Sequence, residues 1–109
     1  MSYNVKTISI FEKQAKKLFK KYPSLKNELL SLIQILKATP NYGIPLGKDC
    51  YKIRLSIASK SKGKSGGARI ITHIIISDSS VYLLSIFDKS EKENLTDKEL
   101  KELLSSILD

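Results

Sequence analysis

Between residues 51 and 87 three apolar, β-branched runs follow one another: YKIRLSI (51–57), ARIITHIII (68–76) and VYLLSIF (81–87). Branched side chains lose rotamer freedom in a helix and pack well on a pleated surface, so these runs predict strands. The tight turn Asp78-Ser-Ser80 joins the last two as a hairpin and the long polar loop 58–67 joins the first pair, which predicts mainly antiparallel neighbours. The first run alternates, with Ile53, Leu55 and Ile57 on one face and Lys52, Arg54 and Ser56 on the other.

The half before it has a different period. YNVKTI (3–8) predicts a short first strand, and Phe11, Ala15, Leu18, Phe19 and Tyr22 then recur at helical spacing with Lys13, Lys16, Lys17, Lys20 and Lys21 between them. Ser9 and Glu12 have the spacing of a capping box. Pro23 interrupts this helix, and Ser24 is placed to cap a second one through about Ala38, whose stripe is Leu25, Leu29, Leu32, Ile33 and Leu36. Residues 39–47, TPNYGIPLG, predict a loop by their Pro, Asn and Gly content. After the strands, Thr96 and Glu99 form a second capping box, opening a helix with Leu100, Leu103, Leu104 and Ile107 on one side. The order β-α-α-β-β-β-α predicts an α+β fold: a small, mainly antiparallel sheet with the N-terminal helical hairpin on one face. At 109 residues the chain has room for one core, so residues 1–109 are expected to form a single domain.

The charge is uneven. Residues 1–76 carry 15 Lys and Arg against Glu12, Glu28 and Asp49, whereas residues 77–109 carry four Lys against eight acids. A basic body of this kind suits a polyanion, and nucleic acid fits better than a lipid surface because no basic helix has an opposing Trp/Phe face. Cys50 is the only cysteine, so no internal disulfide and no zinc spacing arise, and no metal or other cofactor is called for. With no apolar run of secretory or membrane-spanning length, the expected location is the cytoplasm.

The stretch ASKSKGKS (58–65) has the outline of a nucleotide-binding loop, but such a loop must open a helix whose N-terminal amides face the phosphates. Here a strand follows. Lys60, Lys62 and Lys64, with Lys52 on the approach, are instead equipped to contact a phosphate backbone. By parity Lys52 and Arg54 share a face of one strand, and Arg69 and His73 a face of the next, with Lys89 at the end of the third. The chain's only two arginines, Arg54 and Arg69, both lie on these strands, where a guanidinium fork holds phosphate bidentately. Tyr82 and Phe87 are five residues apart, so an uninterrupted strand sends them to opposite faces.

DCYKIRL (49–55), GGARIITHI (66–74) and VYLLSIFDKSEKENLTDKEL (81–100) resemble the RelE/ParE superfamily of bacterial toxins, and most of all its HigB-type RelE members. The resemblance covers nearly the whole chain. It implies a toxin of a type II toxin–antitoxin pair that enters the ribosomal A site and cleaves mRNA. It also implies a cognate antitoxin, usually a helix-turn-helix DNA-binding protein. Cleavage in such enzymes is metal-free: the 2′-OH attacks the adjacent phosphate, which leaves a 2′,3′-cyclic phosphate and a 5′-OH.

On this resemblance Arg69 corresponds to the arginine at the scissile phosphate, and Lys52 and Arg54 to the two basic positions of the preceding strand. His73, or Lys52 or Lys64, is a candidate proton acceptor, and Lys92 joins Lys60, Lys62 and Lys64 as RNA contacts. Many relatives carry an arginine and then a tyrosine after the last strand; this chain has Lys89 and Leu95, and Phe87 stands where nearer relatives have tyrosine. The same superfamily includes ParE-like toxins that bind DNA gyrase without nuclease activity, and inactive RNA-binding relatives are a further alternative. The basic strand set favours the nuclease.

Overall fold

The computed structural model describes residues 2–58 and 66–108, so Lys60, Lys62 and Lys64 lie outside the described residues. Five strands, β1 (Asn4–Thr7), β2 (Ile44–Gly47), β3 (Cys50–Leu55), β4 (Ala68–Ile75) and β5 (Ser80–Asp88), form one sheet in the order β1-β5-β4-β3-β2. All neighbours are antiparallel except β1 and β5. That parallel pair is possible because the whole helical hairpin, α1 (Ser9–Lys21) and α2 (Leu25–Ala38), separates β1 from the other strands in sequence. A third helix, α3 (Asp97–Leu108), closes the chain.

Strand register fixes which side chains share a face. Ile53, Ile70 and Ile86 form one cross-strand row, fully buried, and this face receives Phe11 and Ala15 of α1 and Leu25, Leu29, Leu32 and Leu36 of α2. The opposite face has three rows: Arg54–Arg69–Phe87, Lys52–Ile71–Ser85 and Cys50–His73–Tyr82. The last row exists because β5 has an extra residue: Ile71 pairs with Ser85 but Thr72 with Leu83, which leaves Leu84 as a bulge. A bulge shifts parity by one, so Tyr82 and Phe87 share a face, contrary to the expectation from an uninterrupted strand.

Three local readings change. The stretch expected to be a loop contains β2, an edge strand whose four residues are all exposed. Its Pro45 has no N–H, which an edge tolerates, and Gly43 is needed because a Cβ there would sit 2.7 Å from the Lys52 carbonyl oxygen. Lys48 and Asp49, both with positive φ (57° and 58°), turn β2 into β3 in the manner of a two-residue hairpin, without the usual Asn-Gly signal. Ser9 begins α1 rather than capping it; Ile8 occupies the cap, and the Glu12 carboxylate instead accepts from the Thr7 hydroxyl. Ser24 does stand before α2, but in helical conformation, and its hydroxyl donates to Glu28 at 3.1 Å. The second capping box forms as expected: the Glu99 N–H donates to Thr96 Oγ1 at 3.1 Å and the Thr96 N–H to Glu99 Oε1 at 2.8 Å.

The third helix lies beside α1 at β5: Lys92, Leu95, Glu99 and Leu103 line a depression together with Ile10 and Gln14 of α1 and Ser85 and Phe87 of β5.

Candidate nucleic-acid interface

This second face places Lys52, Arg54, Arg69 and His73 on one side of the sheet, as parity and register require. Arg54 and Arg69 are direct cross-strand partners, an arrangement of like charges that opposes pairing unless an anion lies between or beside them. Their exposure differs. Arg54 is exposed, whereas the Arg69 side chain is 2% exposed. Arg69 Nη1 donates to the Ala68 carbonyl at 3.2 Å, and Nε lies 3.6 Å from Glu93 Oε2. A buried guanidinium needs such a counter-charge, because leaving it unpaired costs several kcal/mol.

Glu93 belongs to the strap of residues 89–96 that joins β5 to α3, and the strap crosses the basic face. Its Asn94 Oδ1 accepts from Lys52 Nζ at 2.6 Å. The amide oxygen and the Glu93 carboxylate therefore occupy positions beside two cations, much as oxygens of a nucleic-acid backbone would. Lys92 ion-pairs with Glu99 on α3. Glu99 is held in its charged form by Lys92 and by the Thr96 N–H, so its carboxyl falls from 4.5 to about 2. Lys89, half-buried, starts the strap with its N–H on the Gly67 carbonyl at 3.0 Å.

The strap's geometry is set by Asp88, 1% exposed at the end of β5. Its Oδ1 accepts from the Ser90 N–H and hydroxyl, its carbonyl from the N–H groups of Glu91 and Lys92, and its Oδ2 from the Tyr22 hydroxyl at 2.6 Å. One carboxylate thus ties α1 to the segment that covers Arg69. Gly67 fits tightly beneath: a Cβ there would lie 2.0 Å from the Leu55 carbonyl oxygen. At the other end of the face His73 Nδ1 is 3.4 Å from Cys50 Sγ. Burial pushes that thiol up to about 11.

Glu93 and Asn94 are site residues that the sequence does not single out. Asp88-x-Ser90 is the spacing of an Asx turn and was a readable signal; Glu93 and Asn94 had none, because only the path of the strap brings them to Arg69 and Lys52. Among the described residues no cluster of His, Cys, Asp or Glu has the makings of a metal site, and no helix is long and apolar enough to cross a membrane.

A model of the family described as the RelE toxin of the RelE / RelB toxin-antitoxin system matches residues 8–107. Among solved structures, a variant of Escherichia coli toxin RelE with two arginines replaced by alanine, in the free state, superposes with a TM-score of 0.60 at 18% identity, covering 99% of this chain and 96% of that one. The isolated E. coli RelE toxin gives 0.57 at 18% identity over 97% and 99%. The toxin–antitoxin complex RelBE of E. coli gives 0.50 at 23% identity over 78% and 94%. At these identities the likeness is one of fold.

Proposed function

The chain belongs to the RelE toxin family, the toxin half of a toxin–antitoxin pair, and on that premise we propose that it is a ribosome-dependent endoribonuclease that cleaves mRNA in the A site. The observation that carries this reading is the cross-strand Arg54–Arg69 pair, with Lys52 in the next row on the same face. In metal-free cleavage the attacking 2′-OH makes a pentacoordinate phosphorane whose extra charge must be met by fixed cations. Arg69 and Arg54 meet it from adjacent strands; Lys52 and Lys89 add charge along its edge. To His73, two rows along the same face, we assign exchange of the proton of the 2′-OH or of the leaving 5′-oxygen. The products are a 2′,3′-cyclic phosphate and a 5′-OH.

For RNA to reach Arg69, Glu93 and Asn94 must give up their places to substrate oxygens, so binding the ribosome-held message displaces the strap. The partners are mRNA on the ribosome and a cognate antitoxin, supported by the family and by the RelBE complex on the same fold. Residues 1–109 act as one toxin domain in the cytoplasm, where both partners are found.

The test is induction of Arg54→Ala and Arg69→Lys, each confirmed folded by circular dichroism, with primer extension on translated transcripts. Removing one fixed donor typically lowers the rate by ~10²–10³. Wild type is expected to break transcripts inside translated codons and the variants to do so at a small fraction of that rate. An SOS response without breaks would point to gyrase, harmless expression to an inactive RNA-binding protein, and full cleavage by both variants would remove the arginines from the site.

A further inference from the structure

Cys50 is buried and makes contacts on two sides. Its Sγ lies 3.4 Å from His73 Nδ1, on the neighbouring strand, and 3.5 Å from the Lys48 carbonyl oxygen in the turn before it. That carbonyl is fixed in place: Lys48 and Asp49 hold left-handed conformations, and the Ile74 N–H pins the turn to β4 by donating to the Asp49 carbonyl at 2.9 Å. The thiol keeps its hydrogen throughout the physiological range, since burial pushes it up to about 11. It therefore has one hydrogen to donate, and a carbonyl can only accept.

Two arrangements satisfy these atoms. With S–H on Nδ1, the contact holds only while the ring is neutral, because a second proton would have to enter at Nδ1 itself. With S–H on the Lys48 carbonyl, sulfur accepts from Nδ1–H, and the pattern survives both protonation states of the ring. In the second case the proton that comes and goes is the one on Nε2, the nitrogen away from the thiol. Charged and titratable neighbours are Lys48 and Asp49 in the turn, Lys52 farther along β3, and Tyr82 on β5 opposite His73, with Lys6 5.7 Å from the Tyr82 ring centroid.

We propose that Cys50 is a positioning residue, which passes a hydrogen bond from His73 Nδ1–H to the Lys48 carbonyl and so leaves Nε2 as the atom that exchanges protons with a ligand on this face. Only the identity of that ligand, RNA, rests on the function proposed above.

His73 is the chain's single histidine, so its ring nitrogens can be followed without ambiguity in a ¹⁵N-labelled sample over a pH series. The expected result is an Nδ1 that keeps a protonated shift throughout while Nε2 moves. Cys50→Val, which has neither donor nor acceptor, should mix the two neutral tautomers, and Cys50→Ser, which has both, should restore the wild-type pattern. A neutral wild-type ring protonated at Nε2 would overturn the inference, as would identical spectra for wild type and Cys50→Val; if the valine variant fails to fold, the wild-type tautomer alone decides. In a translating extract Cys50→Val should cleave about tenfold more slowly, part of the ~10²–10⁴ that proton transfer supplies, with Cys50→Ser near wild type. Unchanged cleavage in Cys50→Val would detach Cys50 from catalysis. An absence of cleavage by the wild type would sink the nuclease reading, while the ring spectra would still decide the role of Cys50.

Discussion

Arg69 and Asp88 are the buried charges among the described residues, each 1% exposed, and each is supported by groups far away in sequence. Asp88 accepts from Tyr22 across 66 residues, and Arg69 lies beside Glu93. Removing one partner of a buried carboxylate leaves the charge short of hydrogen bonds, at a cost of about 1.5–3 kcal/mol. Tyr22→Phe is therefore expected to lower stability by that amount in denaturant melts, and to speed amide exchange at Ser90, Glu91 and Lys92, whose turn Asp88 holds. Unchanged exchange there would mean that the strap does not depend on α1. Gly67 makes a similar point without charge: GGAR looks like part of a flexible basic loop, yet its second glycine lies against the Leu55 carbonyl with no room for a side chain.

At the scale of elements, the strap and α3 behave as a unit because Glu99 serves both, capping the helix through Thr96 and anchoring Lys92. The folded-state carboxyl of Glu99 titrates at about 2, below its ordinary 4.5, so this contribution is complete above about pH 4.5 and is lost as the pH falls toward 2. Amide protection in the first turn of α3 should decline over that window in wild type and be weak at all pH values in Glu99→Gln; protection independent of pH would rule the anchor out. The strands give a second lesson about elements. β2 was hidden by Pro45 and by a turn built on Lys48-Asp49, and the bulge at Leu84, which puts Tyr82 on the basic face, leaves no mark in an apolar run such as VYLLSIF.

Across the whole molecule the charge is sorted by surface. The exposed lysines of α1, Lys13, Lys16, Lys17, Lys20 and Lys21, project from the helix whose other side packs on the sheet, and the acidic residues gather in the strap and α3. Contacts of exposed lysines with phosphates are salt-sensitive because they release counterions. On the function proposed above, replacing Lys13, Lys16 and Lys17 by Gln is expected to weaken ribosome binding severalfold at low salt, to flatten its salt dependence and to leave the melting curve nearly unchanged; equal salt slopes would remove α1 from the contact. Hydrophobic period, helix spacing and charge distribution are local properties, so the sequence alone determined the helices, the three long strands, the sheet face shared by Lys52 and Arg54, and the resemblance that led to the RelE family. Tertiary structure decided what depends on where the chain returns: Arg69 beside Glu93, Lys52 on Asn94, Cys50 between His73 and Lys48, and Asp88 under Tyr22. These are contacts between residues distant in sequence or on neighbouring strands. They form only when register, bulge and strap path are set together by packing, and no local pattern encodes them.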